Sequence, residues 1–135
     1  MANALYDKGR QKFLEGNIDW SSDDIKVILA DAADYTIDLA NHDFLDDVPA
    51  GARVATSGNL SSKTTTDGVA DAADVTLSSV TGDESELIIV YKDTGVESTS
   101  PLIAAYDTAT NLPITPNGGD ITIQWDSGAN KMFKL

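Results

Sequence analysis

Two tripeptides, Asp93-Thr94-Gly95 and Asp126-Ser127-Gly128, each follow an apolar stretch. Acid-type peptide hydrolysis needs two carboxylates close enough to share one proton, and an Asp-Thr/Ser-Gly corner after a strand is one way to present each. The neighbours argue against it. Lys92 precedes the first aspartate, and Val96 follows the first glycine where a small residue is expected. Aspartate and glycine are also favoured turn residues, so both tripeptides read as turns. His42 is the only histidine and cysteine is absent, so a hydrolase triad would need His42 beside a distant serine. Its flanks, Asn41 and Asp43, predict an exposed loop instead.

Asp38, Asp43, Asp46 and Asp47 offer the clustered oxygens that calcium takes. Their spacing does not fit the twelve-residue calcium loop, and a solvated acidic face is the simpler expectation. Gly-rich phosphate cradles are absent. Trp20, Trp125, Tyr91 and Tyr106 are expected to fill the core rather than to stack sugars. No catalytic, cofactor-binding or metal-binding residue is assigned, and the chain reads as a non-enzymatic binding or structural module.

The elements that would position such residues follow from pattern. Leu87 to Tyr91 and Pro101 to Tyr106 are short, unbroken apolar runs, read as strands covered on both faces and joined by a turn-rich KDTGVESTS segment. The rest of the chain should pack around this pair. Ile25, Val27 and Leu29 predict a half-buried strand; residues 52 to 60 predict another around Val54, and Val75, Leu77 and Val80 a third. Residues 31 to 50 read as a long surface connection with a helical turn near His42 to Asp46, and Ser61 to Gly68 as a loop. Ile121, Ile123 and Trp125, then KMFKL, predict a final hairpin with Phe133 and Leu135 on the buried face beside Trp125. About seven strands with one short N-terminal α-helix make a mainly β, antiparallel sandwich or barrel the expected class.

The N-terminal segment stands apart. With Asn3 as N-cap and Gly16-Asn17 as a left-handed stop, residues 4 to 15 read as one amphipathic helix, weakened by Gly9 in its middle. The expected division is residues 1–16 as a helix or arm and 17–135 as the β-domain. Leu5, Tyr6, Lys8, Arg10 and Phe13 are the candidate partner-binding residues, because so short a helix needs something to bury its apolar side. The alternative is that the helix plugs its own sheet.

Charge narrows the partners. The 135 residues carry 22 Asp+Glu against 9 Lys+Arg, a formal charge of −13, which repels phosphate backbones and anionic lipid. Nucleic acid and membrane are therefore poor partners. No apolar stretch approaches the roughly 20 residues of a membrane span, and the N-terminus lacks the apolar core of a signal peptide, so the chain is expected to be made in the cytoplasm.

Four separated blocks add a resemblance: ANALYDKGRQKFLEGNIDW, DDIKVILAD, VPAGARVATSGNLSSKTTTDGVADAADVT and LPITPNGGDITIQWDSGANKMFKL. Together they span most of the chain, which resembles small virion structural proteins of tailed bacteriophages, of the capsid cement or decoration kind. The resemblance implies a protein on the capsid exterior that bridges major capsid subunits; the exposed edges of a lone sandwich, and the symmetry axes at which virion proteins act, predict a closed homo-oligomer, expected to be a trimer. A tail, baseplate or head-to-tail component is the alternative, and an aspartic-type protease a remote one. It implies no cofactor and carries over no active-site residue.

Overall fold

A computed structural model describes residues 3–135. Strands β1 (Ala4–Leu5), β2 (Ile25–Ala30), β3 (Arg53–Thr56), β6 (Leu87–Lys92) and β7 (Leu102–Tyr106) form one antiparallel sheet in the order β1-β7-β6-β2-β3. β4 (Val69–Ala70) pairs with β9 (Phe133–Lys134), and β5 (Val75–Leu77) with β8 (Ile121–Ile123), as two separate ribbons. Helix α1 spans Asp7–Leu14. The chain is mainly β and antiparallel, as expected, with nine strands among the described residues rather than seven.

The unbroken apolar runs of β2 and β6 explain the centre of the fold. Successive side chains point to opposite faces, so Val27, Leu29, Ile88 and Val90 enter one core while Ile28, Ala30, Ile89 and Tyr91 enter a second. β2 is thus buried on both faces, not half-buried, because each face of the sheet is covered by a layer of its own. The two ribbons, with Trp20, Met132 and Phe133, cover the first face. Residues 31–50 cover the second: Tyr35, Leu45 and Val48 are buried there, so this segment is a lid over the core rather than a surface connection. Its helical turn falls at Leu45–Asp47.

The N-terminus differs most from expectation. Ala4 and Leu5 pair with Ala105 and Ala104 as an edge strand, and the helix begins only at Asp7. Asn3 caps no helix; its side-chain oxygen accepts from the amides of Asp107 and Thr108 at 2.9 and 3.1 Å, tying the strand end to the end of β7. The stop is as read. Asn17 donates to the Lys12 carbonyl at 2.9 Å and Gly16 to that of Phe13 at 3.2 Å, with Gly16 at φ +76°, which is the Schellman arrangement. Residues 1–16 are therefore no separate arm: within the described part, they supply a strand and a helix that pack on β7.

The final hairpin does not form. Trp125 donates its backbone amide to Asp74 at 3.0 Å and its indole to the Ala73 carbonyl at 3.2 Å, which holds β8 beside β5. β9 crosses to β4 instead, leaving Phe133 buried and Leu135 exposed. The Tyr106 hydroxyl reaches across to donate to the Met132 carbonyl at 2.6 Å. Tyr106→Phe should cost about 1 kcal/mol, the net worth of such a bond plus an orphaned carbonyl, and a urea titration would read it as a lower midpoint at unchanged slope.

Candidate partner-binding surface

The five candidate residues on the N-terminal segment separate into two groups. Leu5 and Tyr6 are buried inside the chain's own two cores, so in this fold neither can reach a partner. Lys8 and Arg10 are exposed, and Phe13 is half-buried with its ring 6.1 Å from that of Phe133. Lys12 sits 3.8 Å from Glu15 and lies over the Phe44 ring at 5.5 Å. Leu14, the last residue of α1, is not among these five. It is 90% exposed, the largest exposure of any big apolar side chain described.

Leu14 lies between Phe13 and Gly16, both of which line an open hollow of about 390 Å³. Ile18, Trp20, Phe133 and Leu135 complete its apolar wall, and Leu135 is itself 60% exposed. Trp20 is fixed there by an indole hydrogen bond to the Asp71 carbonyl at 3.2 Å and by an edge-on contact with Phe133 at 5.2 Å. Single exposed leucines are ordinary. Leu135 on the wall of an apolar hollow, and Leu14 next in sequence to its lining residue Phe13, give this end of the molecule the composition of a contact surface.

The other candidate groups are placed as follows. Asp93 binds the Lys26 ammonium at 2.7 Å and accepts from the Gly95 amide at 2.9 Å. The Lys26 hydrogen bond, helped by that amide, holds its carboxyl below the usual carboxylate range. Asp126 is not among its partners and lies after β8 in a different sheet, so the two tripeptides are not brought together as a dyad. The carboxylates of Asp43, Asp46 and Asp47 do come within 4.8 Å of one another, as do those of Asp31, Asp34 and Asp83. Burial and the adjoining Asp47 raise Asp43. Asp38 stands outside both groups, its oxygens taken by Ala40 and Asn41.

His42 is not in a free loop. Its Nδ1 lies 3.2 Å from the Asp38 amide, which donates to it, and 2.9 Å from the Tyr35 hydroxyl, which is in turn 2.9 Å from the buried Tyr6 hydroxyl. Nδ1 already accepts from the amide, so it has no proton to give, and the chain runs Tyr6 to Tyr35 to His42 with the ring proton on Nε2. Nothing in residue spacing announces this chain, since its members come from the N-terminal strap and from both ends of the lid. Burial pushes the Tyr35 hydroxyl up to about 12, with Asp47 and Asp38 adding to the effect and the Tyr6 bond opposing it. The folded state therefore keeps a proton that the unfolded chain releases near pH 10. Stability from this site is complete below pH 10 and declines from pH 10 to 12. Melting curves at pH 9 and 11.5 should show that loss, and it should shrink in Tyr35→Phe.

No protein-family model matches the chain, and no curated protein sequence does. What the surface can do follows from its chemistry. An apolar hollow of this kind suits a protein partner that presents an apolar knob. Among the described residues, no helix is long and apolar enough to cross a membrane.

Proposed function

We propose that this chain is a non-enzymatic structural protein of a tailed-bacteriophage virion, a capsid cement protein that binds the exterior of the assembled shell. The four sequence blocks carry this reading, and the exposed apolar side chains support it: Leu135 on the wall of an apolar hollow, and Leu14 at the end of α1, with Lys8 and Arg10 exposed on the same helix. A protein that binds only the assembled lattice stabilises that lattice by mass action, against the pressure of packaged DNA. A charge of −13 keeps a dense outer coat soluble and away from the genome.

The direct experiment is an electron cryo-microscopy map of the virion. Density for this chain on the capsid exterior is the expected result; density only in the tail would replace the reading with a tail component, and its absence from the particle would end it. At residue level, Leu14→Asp should weaken co-sedimentation with capsids lacking this protein by about tenfold, equivalent to ~1.4 kcal/mol. Its melting temperature should stay unchanged, because Leu14 is 90% exposed. Undiminished binding would remove the end of α1 from the contact.

A further inference from the structure

The layer over the first face of the main sheet is split. β8 pairs only with β5 and β9 only with β4, so each keeps one edge without a strand partner among the described residues. Both edges open on one cleft of about 1050 Å³. Residues 120–127 and 130–134 line it without a break. A strand presenting a face would contribute alternate residues only, since successive side chains point opposite ways; unbroken runs mean that the strand edges border the space. The floor is the main sheet, through Leu29 of β2, Ile88 of β6 and Ala104 of β7.

We propose that this cleft accepts a strand: an extended segment of another protein, apolar at alternate positions and carrying carboxylates at its ends, adds between β8 and β9. Unpaired edges template pairing with another chain. Strand addition draws affinity from main-chain hydrogen bonds and selectivity from pockets for every second side chain. Charge complementarity selects the occupant. Of only nine Lys+Arg in the chain, Arg10, Lys131 and Lys134 line the cleft, against two carboxylates, Asp120 and Asp126. Lys131 is 3.6 Å from Asp71, whereas Arg10 and Lys134 have no ion-pair partner among the described residues. Every strand of this chain already has a partner, so a second copy would have to surrender one to fill the cleft. A separate protein would not. The inference stands independently of the virion reading.

The test extends the full chain beyond Leu135 with a flexible linker and a strand of about seven residues, alternating valine and threonine with glutamate at each end. Because β9 borders the cleft, the tether presents this strand at roughly millimolar effective concentration. The expected result is a melting temperature raised by at least about 5 °C and amide exchange at Thr122, Gln124 and Lys134 slowed at least about tenfold. The same strand with proline at alternate positions should do neither, since proline cannot donate to a ladder. Lysines in place of the glutamates should reduce both effects. Unchanged melting and exchange, or equal effects from the proline version, would overturn the proposal, and equal effects from the lysine version would overturn its charge selection. If the unextended protein self-associates on sedimentation with the same amides protected, the occupant is a second copy and the separate donor is refuted.

Discussion

A chain lacking residues 1–15 is expected not to fold cooperatively. The deletion removes the edge strand β1, the buried side chains of Leu5 and Tyr6, the half-buried Phe13 and the helix that covers β7. Each large apolar side chain contributes about 1.5–3 kcal/mol by burial, and the uncovered face of β7 would add to the loss. Against a typical total of ~5–15 kcal/mol, little or nothing remains. Two main-chain ties go as well: the Tyr6 amide donates to the Ile103 carbonyl at 2.9 Å, and the Asp7 amide to that of Leu39 at 2.8 Å, joining sheet, helix and lid. Circular dichroism melting and amide NMR dispersion would check it. A truncated protein that melts like the full chain would restore the segment as a detachable arm.

Gly9→Ala should lower the melting temperature by on the order of 10 °C, opposite in sign to its effect on an isolated helix. In solvent, alanine at a helix interior position is better than glycine by about 1 kcal/mol. Here an added Cβ would sit 2.5 Å from the Leu102 carbonyl oxygen and 3.2 Å from both the Cα and the carbonyl oxygen of Ile103. All three are backbone atoms of the central sheet, with no flexible side chain to yield. Forcing helix and sheet apart costs about 3 kcal/mol, at the upper end for overpacking. The sheet itself explains the close approach. Tyr91 pairs with Leu102 and Val90 with Ala104, so Ile103 is the extra residue of a β-bulge, and the helix crosses β7 beside it. If Gly9→Ala melts higher than the parent, α1 does not lie against β7 as described.

These contacts mark where residue pattern suffices. β6 and β7 are legible because each is a short unbroken apolar run bounded by turn residues, and Gly16-Asn17 is legible because a left-handed stop is a local device. β1 is not, since Ala4 and Leu5 favour helix by propensity and are drawn into strand only by Ala104 and Ala105, far along the chain. The final hairpin failed for the same reason: turn residues allow a reversal, but Asp74 and Ala73 hold Trp125 to β5. Gly9 was read as a weakness when it is the point of contact. On the N-terminal segment Lys8 and Arg10 are exposed and Phe13 packs half-buried on the chain's own core, while Tyr6 turns inward to Tyr35, a partner that spacing cannot reveal.

The pairing of β1 with β7 also bears on how the chain is made. Ala4 meets Ala105, Ile25 meets Lys92, and Val69 meets Lys134. A nascent chain emerging from the ribosome holds β1 for most of its synthesis with no strand to pair it, and β2 has only β3 beside it until β6 follows. Ordering such distant segments costs loop entropy before any contact rewards it, which places folding in the millisecond-to-second range. Until β6 emerges, the edge of β2 that it will pair stays open to whatever else is in the cell, so during translation this chain depends on its charge as well as on its fold to stay apart from its neighbours.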